Sequence, residues 1–352
     1  MPPMNPGSSI LSRTWISLQG AVPRRRNNSR GFTLVELMVA VGILALLLTI
    51  LASMTTSVSR TIRQASAEMT SLTTARSATD LGQKISLATL NTYYGYNSAS
   101  NPTRYIRLSD LQFIIQPNTR GAGMGQEIYF VSPLSFSTAQ PVAGLQNLMN
   151  ACGFFVQYNN NDTFRPSPTD QPKWRYRLMQ GFERTENLQL FKTAPARWVT
   201  GSPGGGLPWL QTICNDSIVR TNVTPLADNV IALVLMPQDA SGTVLTTDYK
   251  YDTARDTSLA TQPVTENQLP PNIQMTLITI SETSATRLDT NSSTEPAAIK
   301  DALNGRFVKT SDYQTDIEQL SKALTAKNIS FRIFTSSIPM RESKWSGAGA
   351  GY

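Results

Sequence analysis

The apolar positions of the chain fall into two regimes. From Leu37 to Val58 no charged side chain interrupts the sequence. At 1.5 Å per helical residue, about 20 residues cross the ~30 Å hydrocarbon layer of a bilayer, so this run is long enough to span one. The pattern then narrows. Val58, Ile62, Ala65, Met69 and Leu72 step by four and three, a seam at heptad spacing. Leu81, Ile85 and Ala88 take up a similar face. The spacing predicts a helix from Thr33 to about Leu90, roughly 87 Å long. Its first half is apolar all round and its second half is amphipathic, the division a shared spine needs if one half packs in lipid or a filament core and the other carries a folded domain.

From about Asn91 the texture changes to short β-like runs punctuated by Gly, Pro, Asn and Asp. Strands are predicted at Leu111–Ile115, Glu127–Val131, Phe154–Tyr158, Leu188–Phe191, Val230–Leu235, Ile273–Ile280 and Phe331–Phe334. A second helix is predicted near Thr315–Lys327, and loops at Asn118–Gly125, Asn159–Lys173, Gly201–Pro208 and Ser281–Ala297. The expected fold class is α+β, with one antiparallel sheet lying against the amphipathic half of the long helix.

Charge sharpens this picture. The net charge is +7, but Arg13, Arg24, Arg25, Arg26 and Arg30 precede residue 32 without any acidic partner. Removing those five leaves +2 for the remainder, so the bulk of the chain lacks the basic footprint of a nucleic-acid binder. Arginines before an apolar span hold that end in the cytoplasm and send the rest across. The expected location is the inner membrane, single-pass, with a cytoplasmic N-terminus and a periplasmic or extracellular C-terminal domain.

The chemistry on offer is sparse. There is no histidine, which removes imidazole-based triads and the usual zinc sites. The two cysteines, Cys152 and Cys214, are too few for a Cys₄ site. In an oxidising compartment they could close a loop of about 60 residues, worth roughly 4 kcal/mol in the chain-entropy model; two buried thiols are the other reading. Gly204-Gly205-Gly206 lacks the Lys-Ser/Thr of a phosphate loop. Asn159–Asp162 and the trio Asp248, Asp252 and Asp256 lack the spacing of a calcium loop and read as solvated turns. No Lys or Arg occurs between residues 85 and 103 to accompany Tyr93, Tyr94 and Tyr96, which read as packing at the junction of helix and domain. No cofactor, no metal and no enzymatic activity are expected.

One residue breaks the apolar pattern. Glu36 is a lone carboxylate close to the start of the span, where an unpaired charge costs a few kcal/mol on insertion scales. It stands within Gly31-Phe32-Thr33-Leu34-Val35-Glu36, which resembles the prepilin cleavage and methylation motif of type IV pilins and type II secretion pseudopilins. The resemblance implies that a prepilin peptidase cuts between Gly31 and Phe32 and methylates the new amino terminus at Phe32. Glycine has no Cβ to hinder a peptidase's approach. Glu36 becomes the fifth mature residue, in the first helical turn where the macrodipole favours negative charge. There it can pair with the Phe32 ammonium of a neighbouring subunit.

Three interior segments follow the order seen in J-type minor pseudopilins: Leu226–Leu235, Leu269–Ile273 and Phe331–Arg341. Ala88–Tyr94, Leu148–Val156 and Tyr176–Met179 resemble more closely the Verru_Chthon cassette protein C group. The implied organisation is a leader at residues 1–31, a pilin helix at 32–92 with its transmembrane part at about 37–58, and an exported α+β domain at 93–352. The implied function is a minor pilin or pseudopilin subunit, whose partners are the prepilin peptidase, other subunits and inner-membrane lipid, with no nucleic acid. The other readings are a membrane-tethered adhesin or uptake receptor, binding a glycan or DNA through the loops Asn159–Lys173 and Gly201–Pro208, and, more remotely, a membrane-anchored hydrolase.

Overall fold

The computed structural model describes residues 32–96, 100–121, 123–140, 144–162, 169, 171–188, 213, 223–254 and 262–347. It divides into two units, one through Thr61 and one from Ile62. The long helix α1 runs Leu34–Ser86, close to its predicted span. In the first unit its apolar side chains from Leu34 to Met54 lie exposed, and Val58 is exposed with them.

In the second unit the last turns of α1 enter a core. Ala78, Leu81 and Ile85 are buried, stepping by three and four. Ile62 and Ala65, expected on the same seam, are exposed, and the Met69 and Leu72 side chains lie outside the described set. The packed face therefore begins later than the heptad pattern predicts. Polar groups fix the docked turns: the Ser77 hydroxyl donates to the Leu226 carbonyl at 3.0 Å, and Lys84 Nζ donates to Gln180 Oε1 at 3.0 Å.

The β elements are β1 Tyr93–Tyr96, β2 Tyr105–Leu108, β3 Ile114–Pro117, β4 Gln126–Ser132, β5 Asn150–Asn160, β6 Trp174–Glu183, β7 Val223–Asp228, β8 Val230–Gln238, β9 Tyr251–Asp252, β10 Asn272–Ile280 and β11 Phe331–Pro339. They form three antiparallel sheets among the described residues, where one was expected. Six strands run β7-β6-β5-β4-β3-β9, three run β11-β10-β8, and β1-β2 is a separate ribbon. The chain changes sheet at Asn229, the single residue between β7 and β8, which adopts φ 63°, a left-handed turn that asparagine tolerates. Gly125 bridges the two larger sheets by pairing with Leu233 in β8.

Strand β6 escaped the pattern because charge sits inside it. β6 carries Arg175 and Arg177, both buried. Arg177 Nε meets Asp228 at 2.7 Å, while Arg175 meets Asp289 at 2.5 Å and Glu282 at 3.3 Å. Paired in this way, buried charges are tolerated in a strand that reads as polar in sequence.

The predicted loop Ser281–Ala297 is helical in its first half and non-helical from 289 to 296. It holds α2 Glu282–Leu288 and runs into α3 Ala297–Leu303. Ser281 caps α2 by accepting from the Ser284 amide at 3.2 Å, so the Ser/Thr-rich stretch marks a helix start. The second predicted helix is α4 Tyr313–Ala326, which buries Leu320 and Leu324.

β5 takes in the first two residues of the predicted loop Asn159–Lys173, residues 163–168 and 170 lie outside the described set, and the Lys173 amide donates to Asn161 Oδ1 at 2.7 Å. Gly201–Pro208 and Asp256 lie outside the described residues. Asp248 sits 3.4 Å from Lys250, and Asp252, its carboxyl pushed up by burial, accepts from Gln112 at 2.7 Å. The junction-packing expectation for the tyrosines is corrected: Tyr93, Tyr94 and Tyr96 are exposed on the β1–β2 ribbon. Leu108 fills the side of the ribbon opposite Tyr94 and Tyr96, over Gly95.

Candidate processing and assembly site at the start of the long helix

Thr33 is the N-cap of α1, which starts at Leu34. The Glu36 amide donates to Thr33 Oγ1 at 3.2 Å, and the Thr33 amide donates back to Glu36 Oε2 at 3.0 Å. The Thr33 hydroxyl also donates to Oε2 at 3.1 Å. This reciprocal pair is a capping box, which satisfies two amides that the helix start leaves without intrahelical partners. Its signature, Thr-x-x-Glu, is present in the sequence as Thr33-Leu34-Val35-Glu36. Reading Glu36 only as a membrane-embedded charge misses Thr33 as the residue that holds it.

Three features of this geometry bear on function. Both members of the cap lie C-terminal to the Gly31–Phe32 bond, so trimming there leaves the cap intact. Both bonds to the carboxylate use Oε2; Oε1 takes no hydrogen bond among the described residues. Phe32, directly before the cap, is 80% exposed. Gly31 itself lies outside the described residues.

Behind this site, Leu34–Ile62 is long and apolar enough to cross a membrane. Among the described residues its large apolar side chains from Leu34 to Val58 are exposed. An apolar surface of this extent needs lipid or other apolar helices around it.

The cysteines stand apart from this site. Cys152 is buried in β5, its thiol 3.9 Å from the Ser132 hydroxyl. Burial pushes the thiol up to about 12, which keeps it protonated near neutral pH and unreactive as a nucleophile. Cys214 lies outside the described residues, and so does the pairing of the two.

Comparison with known proteins supports the reading of the amino end. Residues 26–52 match the family model described as the prokaryotic N-terminal methylation motif. The match covers the amino end alone; it supports a type IV pilin-like or pseudopilin-like reading of the chain, and the motif implies processing by a prepilin peptidase. Among solved structures, a type IV-like pilin from Thermus thermophilus aligns over 78% of this chain and 97% of its own, at 9% identity and a TM-score of 0.31. No curated protein gives a significant match. None of these findings points to the Verru_Chthon cassette protein C group, which rests on the interior segments alone.

Proposed function

We propose that this chain is a non-enzymatic structural subunit of a type IV pilus-like or type II secretion pseudopilus-like filament. A prepilin peptidase removes residues 1–31 by cutting between Gly31 and Phe32, and Phe32 is methylated. The arginine-rich leader stays cytoplasmic and the domain is exported. The mature chain assembles through the apolar half of α1.

The observation that carries this reading is the divided Glu36 carboxylate on an unprotected apolar helix. Oε2 is held by Thr33 within the subunit. Oε1 is left to receive the Phe32 ammonium of an adjoining subunit. The pair then relieves the desolvation that either charge suffers alone.

The size of the exported domain favours a minor component at the filament tip. A domain of this bulk on every subunit crowds a helically packed shaft. Immunogold labelling of sheared filaments with antibody to the second unit is expected to mark one end. Uniform decoration along the shaft would contradict the tip assignment.

A further inference from the structure

β11 is the end strand of the three-stranded sheet, and it pairs with β10 alone, in unbroken antiparallel register. The phase of that ladder is fixed at its two ends. The Ser281 amide donates to the Ser330 carbonyl at 2.9 Å, and the Met340 amide donates to the Pro271 carbonyl at 3.0 Å. Even-numbered residues of β11 therefore turn their backbone groups toward β10, while Phe331, Ile333, Thr335, Ser337 and Pro339 turn theirs outward. Proline falls at an outward position, where its missing N–H costs the ladder nothing. The amides of Phe331, Ile333, Thr335 and Ser337 take no acceptor among the described residues.

Natural sheets blunt such an edge by shortening it, bulging it or setting Lys or Pro along it, because it is a template for another strand. β11 has nine residues, above the usual five or six. Its pairing with β10 has no bulge, and from Ile333 to Ile338 it carries no charge. Thr335, Ser336 and Ser337 are exposed. Outward N–H and C=O groups repeating every two residues, about 6.6–6.8 Å apart, match an extended polypeptide backbone.

The surroundings of the edge narrow its occupant. A groove runs between β11 and the docked turns of α1, which contribute Ala78, Thr79, Gly82 and Gln83 to its wall. That wall is small and uncharged. The charged residue lining the groove is Arg341, just past the end of β11. An incoming strand therefore presents uncharged side chains to α1 and a carboxylate beside Arg341. α1 is also the helix that carries assembly in the function proposed above, so a strand reaching this groove belongs to an adjoining subunit. A component standing singly at a tip has neighbours of another kind. We infer that the β11 edge receives an extended strand of a different pilin-type subunit, adding a fourth strand to the β11-β10-β8 sheet. This surface rests on the proposed subunit role and specifies its partner.

The test uses the full chain in its native membrane, with sheared filaments quantified by immunoblotting. Ser337→Pro deletes one outward N–H and leaves the β10 ladder whole, so thermal melting in detergent should match the parent. Its incorporation into filaments should fall about tenfold, since a carbonyl of the added strand is then buried unpaired. Ser337→Ala, which keeps the N–H, should incorporate as the parent does. A second measurement does not depend on how Ser337→Pro folds: p-benzoylphenylalanine in place of Thr335 should crosslink, in intact filaments, to a different subunit bearing its own prepilin motif. Crosslinking only to a second copy of this chain, or to no subunit, would overturn the surface. So would a well-folded Ser337→Pro that enters filaments as readily as the parent, a result that leaves the subunit role standing. A parent chain trimmed before Phe32 yet absent from filaments would bring down the subunit role and this surface with it.

Discussion

Replacing Glu36 with alanine leaves cleavage after Gly31 largely intact and lowers incorporation into filaments at least tenfold. Removing one partner of a desolvated ion pair strands the other and costs about 3–5 kcal/mol. The cap complicates this result, because Glu36→Ala also removes the acceptor for the Thr33 amide. Loss of a helix cap is worth only about 1 kcal/mol. Glu36→Gln separates the two effects, since glutamine serves a capping box as well as glutamate does but carries no charge. Incorporation as poor as in the alanine variant is expected. Thr33→Val breaks the side-chain half of the cap and keeps the charge, so its defect should be much milder. Quantitative immunoblotting of sheared filaments against total membrane protein measures all three. Near-parental incorporation of the glutamine variant would reduce Glu36 to a capping residue.

Gly125→Ala is expected to destabilise the second unit by more than about 3 kcal/mol, the range reserved for strain and overpacking in a core. Gly125 sits at φ +82°, and a Cβ there would lie 2.0 Å from the Leu233 carbonyl oxygen. The neighbouring bond from the Leu233 amide to the Met124 carbonyl, 3.0 Å, depends on the same close approach. The substitution therefore strikes where the six-stranded and three-stranded sheets are joined. Gly82→Ala, in α1, provides the contrast. Its Cβ would meet Ile338 at an ordinary 3.5 Å, so relief of glycine's helix penalty should stabilise by about 0.5–1 kcal/mol. Thermal denaturation of the two variants side by side reads both signs. A Gly125→Ala protein melting with the parent would show that the two sheets are not held through this approach.

Much of this architecture is legible in the sequence where burial and periodicity agree. The uncharged run from Leu37 and the apolar strands β8 and β10 follow directly from side-chain pattern. β6 does not, because Arg175 and Arg177 are matched by Glu282, Asp289 and Asp228, residues 51 to 114 positions away in the chain. A strand buried through long-range ion pairs carries no local signal. The division of the β region into separate sheets turns on Asn229 and Gly125, two backbone conformations that hydrophobic periodicity does not encode. At the amino end the reverse holds. The motif identifies Glu36 without any structure, and the capping signature for Thr33 lies in the same six residues. What the sequence does not encode is that both bonds from Thr33 fall on one carboxylate oxygen, Oε2, while Oε1 takes none among the described residues. The exposure of Tyr94, Tyr96 and Tyr105 was likewise hidden, since aromatic residues beside a helix end suit a core and a surface ribbon equally.

Intact-mass and N-terminal analysis of the protein extracted from its native membrane tests the central claim most directly. The account requires a chain beginning at N-methylated Phe32, and its loss when Gly31 is replaced by a bulky residue. A mature protein that retains Arg24, Arg25 and Arg26, or one beginning at an unmodified residue elsewhere, would contradict it.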